Sequence, residues 1–210
     1  MCNKEGISKE HVPPRCFFPE KKDIRPSEDY RKNLITVPSC EEHNSGKSDD
    51  DSYLLAVITA HYQNNPLSKR HYSKKIKRAL TKDKGLQGVI VNNFKSIKIN
   101  GKEFFAIETD HERIINQFKK IGLALYYHEK KKKWTGTVRA FTPNILWKNN
   151  SVNSQLQDLA EFVDSGIQYM TKEGENEDVF YYLKYFDEKS NGAFFKLVFF
   201  KGFEAWIDLR

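Results

Sequence analysis

Three aromatic-rich segments near the end of the chain, VFYYLKYF (179–186), AFFKLVFF (193–200) and FEAWIDL (203–209), constrain the fold most. Phe, Tyr, Val and Trp favour the pleated, half-buried surface of a sheet. Between the segments stand Ser190-Asn191-Gly192 and Lys201-Gly202, which supply turn chemistry. They therefore read as three antiparallel strands joined by short turns. A period of two also marks GVIVNNF (88–94) and SIKINGKEFFAI (96–107), and Asn100-Gly101 within the latter is a type I′ hairpin signal. Helical periodicity fills the intervals. From Tyr53, the residues Leu54, Val57, Ile58 and His61 fall on one face, and Asn64-Asn65-Pro66 ends that helix. Thr109-Asp110-His111-Glu112 matches a capping box ahead of the stripe Ile114, Ile115, Phe118, Ile121 and Leu125. A further helix is expected from about Asn153 to Gly166, with Leu156, Leu159, Phe162 and Val163 inward. The expected class is α+β.

Residues 1 to about 52 differ from the rest. They are rich in Pro, Cys, His, Asn and Asp and poor in periodic apolar patterning, as expected of a small module that folds around ligands and turns. We therefore divide the chain into a module over 1–64 and an α+β accessory region over 65–210 with a basic helix and the C-terminal strands. No apolar run approaches the ~20 residues of a membrane span, and the charged N-terminus has no apolar signal core, so no membrane is expected as a partner. Cys2, Cys16 and Cys40 are three in number and do not suggest a disulfide framework, which favours a reducing, cytoplasmic setting.

The net charge of +7 is unevenly spread. KRHYSKKIKRALTK (69–82) contains Lys69, Arg70, Lys74, Lys75, Lys77, Arg78 and Lys82 and no acid, and it reads as a helix with Ile76 and Leu80 inward. A second cluster runs from Lys130 to Lys133, with Trp134 and Arg139 beyond it. Such patches suit phosphate contacts, which give affinity without sequence readout. Each taken singly is equally compatible with a solvated surface.

The N-terminal module holds the residues with chemistry. Phosphodiester hydrolysis needs a base to activate water and a divalent cation to stabilise charge at the phosphate. His11 suits the first role; Glu10 and Asn44 offer oxygen donors for a hard cation such as Mg²⁺. Asn33 suits a role in holding the loop geometry around the base. The order Glu10-His11, then Asn33-Leu34, then Asn44-x-x-Lys47 just behind Cys40-x-x-His43 resembles the HNH endonuclease family, over about the first quarter of the chain. Between the key positions the intervals are 22 residues from His11 to Asn33 and 11 from Asn33 to Asn44. The resemblance implies a ββα-metal, treble-clef-like module with His11 as general base and Asn33 as the geometry-holding residue. It makes Glu10 and Asn44 ligands of a catalytic Mg²⁺ or Mn²⁺. Many family members have Asp where this chain has Glu10. It further implies a structural Zn²⁺ held by Cys2, Cys40 and His43, a site one ligand short of four; the fourth would fall two places before Met1.

The implied activity is metal-dependent hydrolysis of nucleic acid, with DNA the expected substrate and Lys47, Lys74, Lys75, Lys77 and Arg78 as phosphate contacts. The alternative is a non-catalytic, zinc-stabilised module that binds nucleic acid or protein. Residues 87–210 are open to a protein partner. Other polar positions have structural explanations. Cys16, between Arg15 and Phe17-Phe18, reads as a buried small hydrophobe. His61 reads as a packed histidine, and His128 as a cation favoured at a helix end. Asp49-Asp50-Asp51 reads as the acidic first turn of a helix.

Overall fold

β1 (Ser8–His11) runs antiparallel to β2 (Thr36–Ser39), with His11 opposite Thr36 and Glu10 opposite Val37. The computed structural model describes residues 8–40, 48–76, 78, 94–99, 102–147 and 149–210. Between these two strands the chain makes a long excursion with two 3₁₀ turns, Arg15–Phe17 and Lys21–Asp23. Phe17 and Phe18 are buried and pin the excursion to the core.

Helix α1 (Ser48–Thr59) follows, its first turn carrying Asp49, Asp50 and Asp51, where the positive end of the helix dipole favours them. Tyr53 to Ile58 are all buried, so this part of the helix is enclosed on every side, while the acidic first turn stays at the surface. Its end is closed by side chains: Asn64 Nδ2 donates to the Ile58 carbonyl at 2.6 Å, and Ser68 Oγ to that of Thr59 at 3.1 Å. Asn65 then caps α2 (Pro66–His71), accepting from Ser68 N at 3.1 Å, with Pro66 at the first position, where its missing N–H costs nothing. A π-turn over Tyr72–Ile76 continues α2, so the first part of the basic stretch is helical as expected, while Leu80 and the rest of 79–82 lie outside the described residues.

β3 (Phe94–Ile99) and β4 (Lys102–Ile107) pair with Ile99 opposite Lys102, which leaves a two-residue connection at Asn100-Gly101. That pair and GVIVNN (88–93) lie outside the described residues. Helix α3 (His111–Lys130) is capped by Asp110, whose carboxylate accepts from Arg113 N at 3.0 Å, one residue later than the capping box predicts. α4 (Asn150–Gly166) begins three residues before the expected Asn153.

The three C-terminal segments form β7 (Phe180–Asp187), β8 (Gly192–Phe199) and β9 (Phe203–Leu209), antiparallel as expected. Two short strands the sequence did not disclose, β5 (Val138–Phe141) and β6 (Thr171–Glu173), complete a five-stranded sheet in the order β5-β9-β8-β7-β6. The β8–β9 turn places Phe200 and Lys201, not Gly202, at positive φ (48° and 58°). Gly202 is needed for another reason: a Cβ there would stand 2.6 Å from the backbone of Gln63 and Asn64.

One face of the sheet carries α3, which buries Ile114, Phe118, Ile121 and Leu125. At Gly122 the helix comes so close that a Cβ would meet Ile207 Cγ2 at 2.4 Å. The other face carries α4, which packs Leu156 and Val163 on Trp206. Phe162, expected inward, is 74% exposed. Val12, Phe17, Val37 and the buried face of α1 belong to the same apolar cluster as α3 and the sheet, so residues on both sides of position 64 share one core. No described helix is long and apolar enough to cross a membrane.

The π-turn and the excursion are tied together at a buried histidine. His71 is 2% exposed, and its Nε2 lies 3.1 Å from the Cys16 carbonyl, which Lys75 Nζ also reaches at 3.1 Å. Burial, with Lys75 adding to it, pushes the imidazole pKa down to about 4 against the opposing pull of that carbonyl bond. Between pH 6.5 and 4 the unfolded chain therefore takes up a proton at His71 that the folded chain refuses, so stability falls as pH falls through this window. The full difference is about 3 kcal/mol. Urea unfolding at pH 7 and pH 4.5 should show wild type losing ~2 kcal/mol more than His71→Gln; equal losses would refute it.

Candidate functional site

Glu10 and His11 close β1, and Val12 N extends the ladder by donating to the Ile35 carbonyl at 2.9 Å. The strand thus delivers its last two side chains at the rim of a small hollow of about 40 Å³, enough for more than one water. Glu10, His11, Val12 and Pro14 form one wall, Asp51 and Leu54 of α1 another, and Gln117, Lys120, Ile121 and Ala124 of α3 the third. A hairpin and the helix after it therefore meet at His11.

The imidazole is held below its ordinary pKa, first by burial and then by the Arg15 and Arg31 guanidiniums, with Glu10 pulling the other way. A neutral ring at neutral pH is the form that can accept a proton. Arg31 is fixed: its Nε and Nη2 donate to the Phe18 carbonyl at 3.1 and 2.9 Å, and Glu20 lies 3.8 Å away.

The acidic run of α1 divides its labour. Asp50 accepts from Arg113 Nε at 2.7 Å and Gln117 Nε2 at 2.6 Å, docking α1 against α3, while Asp51 borders the hollow. Dipole compensation explains the run only in part. Asn33 sits in a turn with φ 48°, three residues before the strand partner of His11, and its Nδ2 donates to Glu175 Oε2 at 2.6 Å. It thereby fastens the loop leading into β2 to the loop beyond β6. Cys40, directly after β2, is buried. Cys2, His43, Asn44, Lys47 and Lys77 lie outside the described residues, and with them most of the expected zinc set and one of the two expected cation ligands.

Among the described residues no three of His, Cys, Asp and Glu gather closely enough to hold a metal ion. Those bordering the hollow nonetheless fit a hard cation in kind. Glu10 and Asp51 offer carboxylate oxygens beside an imidazole, whereas a soft metal would call for sulfur.

The basic stretch is largely engaged in holding the excursion. Lys74 Nζ donates to the Asp23 carbonyl at 3.2 Å, Lys75 Nζ lies 3.7 Å from Glu20, and Arg78 grips the Asp23 carboxylate at 2.9 and 2.7 Å. Arg78 holds the carboxyl of the buried Asp23 below the usual carboxylate range. Cys16, expected to be buried, is half-buried and packs against the core, and desolvation pushes its thiol up to about 12, so it is inert. His61 packs edge-on against Phe203, with ring centroids 5.6 Å apart, which agrees with its reading as a packed residue. Lys120 and Gln117 had no signal of their own, apart from sharing the 117-120-121-124 face of a helix. Compared with protein-family models, curated proteins and solved structures, the chain matches none.

Proposed function

We propose that the chain is an HNH-type, metal-dependent endonuclease whose centre is the hollow where the end of β1, α1 and α3 meet, acting on nucleic acid, with DNA the expected substrate, in the cytoplasm. The observation that carries this reading is the position of Glu10-His11. The pair ends an antiparallel hairpin, beside the helix that follows it, in a hollow open to water and bordered by a second carboxylate. His11 takes the proton of the attacking water as general base. Asn33 steadies the approach to β2 and so acts on His11 only as a positioning residue. Glu10 and Asn44 would hold Mg²⁺ or Mn²⁺, which supplies charge stabilisation at the scissile phosphate. A Zn²⁺ held by Cys2, Cys40 and His43 would staple the module's N-terminal end.

With Mg²⁺ or Mn²⁺ the purified protein should nick supercoiled plasmid. Chelation by EDTA should stop the reaction, and added Mn²⁺ should restore it. Intact plasmid under all three conditions, with DNA still bound, would select the non-catalytic binding module instead.

A further inference from the structure

The hollow has a third wall, supplied by a helix more than a hundred residues away in sequence from His11. Of the α3 residues in that wall, Gln117 is buried with its amide committed to Asp50, and Ile121 and Ala124 are apolar. Lys120 is different. Its side chain is 45% exposed, and Asp50, 3.9 Å from its ammonium group, is already bonded by Arg113 and Gln117. It is the one lysine or arginine among the described residues that border the hollow with Glu10 and His11, and the other lining side chains are carboxylates, apolar groups, an amide and the imidazole.

The helix carries this charge onward. Positions 120, 124, 127 and 131 recur at three- and four-residue intervals, so they form one stripe along α3. Ala124 borders the hollow, Tyr127 is half-buried, and Lys131 stands exposed where the helix stops, in the left-handed conformation with φ 54°. Lys131 Nζ donates to the His128 carbonyl at 2.6 Å, which anchors the amine without neutralising it. The interval from 120 to 131 is about 16 Å at 1.5 Å per residue, or about five nucleotide steps of a duplex strand.

We propose that Lys120 binds the phosphate that enters the hollow, and that the α3 stripe ending at Lys131 carries the adjoining backbone of a DNA duplex. This inference rests on the nuclease reading for the identity of the hollow, but its test does not depend on cleavage. In the His11→Ala background, binding of a short labelled DNA duplex is titrated over a range of salt. Lys120→Ala should lower the salt slope by about 0.9, one phosphate contact, and weaken binding several-fold at low salt. Lys120→Arg should restore both, and the melting temperature should not move, since the side chain is half in solvent and makes no short bond. Lys131→Ala should lower the slope by a similar amount.

An unchanged slope in Lys120→Ala would overturn the proposal. So would absence of duplex binding, or an equal loss in Lys119→Ala, which lies about 100° off the stripe and would reveal a general charge effect. If the Lys120 dependence is found while wild type leaves plasmid intact, the nuclease reading fails and the phosphate site stands.

Discussion

The His11→Ala protein is expected to nick plasmid about 10²- to 10⁴-fold more slowly than wild type, the range over which removal of a general base acts. Its melting temperature should stay close to that of wild type. His11 is neither buried nor part of the apolar cluster, and truncations at such positions cost within about 1 kcal/mol. The pH profile separates the base role from a merely structural one. Burial and the Arg15 and Arg31 charges lower the imidazole pKa, so the neutral form, the one a general base requires, predominates already at pH 6.5. The rate should rise with pH through an apparent pKa below 6.5. Arg15→Ala removes one of the two charges that depress the pKa and should shift this limb to higher pH. A limb centred above pH 7 in wild type, or equal rates with and without the imidazole, would remove His11 from the role of base.

What the sequence disclosed, and what it did not, follows from the length scale of each interaction. β7, β8 and β9 were legible because each is a long run of strand-forming residues between turn residues. β5 and β6, with four and three residues, are strands only because β9 and β7 offer them free edges. On α4, the residues that reach the sheet are Val152, Leu156, Leu159, Ala160 and Val163, a stripe from which Phe162 is rotated by about 100°. At the start of α3, Thr109 and Asp110 are both competent caps, and the bond to Arg113 N chooses the second.

The site divides in the same way. Glu10 and His11 are adjacent in sequence and were visible as a pair, but Lys120 and Gln117 join them only after α3 has packed against α1. Periodicity assigns those two to a helix and cannot say which of its polar residues faces a cavity. The basic stretch shows how charge in sequence says nothing of its partners. Lys74, Lys75 and Arg78 carry the charge of a phosphate-binding patch, but folding turns them onto Asp23, Glu20 and the Cys16 carbonyl.

Phe199→Ala should cost about 3 to 5 kcal/mol, a large part of the 5 to 15 kcal/mol that holds a typical domain together. The ring is fully buried and meets partners from three parts of the chain. Its centroid is 5.6 Å from Phe17 in the N-terminal excursion, 6.0 Å from Phe118 on α3, 5.0 Å from Phe180 on β7 and 6.5 Å from Phe203 on β9. Removing it opens a cavity at the point where the N-terminal excursion, the helix behind the hollow and the sheet touch, so none can close the gap without moving the others. Phe199→Leu keeps most of the volume and should cost about 1.5 kcal/mol. Because Phe17 and Phe199 belong to one cluster, unfolding of both variants should remain a single transition, with far-ultraviolet dichroism and tryptophan fluorescence coincident. A loss below 1 kcal/mol in Phe199→Ala, or an N-terminal segment that melts apart from the sheet, would show that the excursion is held by its own contacts. The expected result ties the hollow to the sheet: Phe17 lies two residues from Arg15, whose charge acts on His11, so a core that loosens at Phe199 should slow nicking before the protein unfolds.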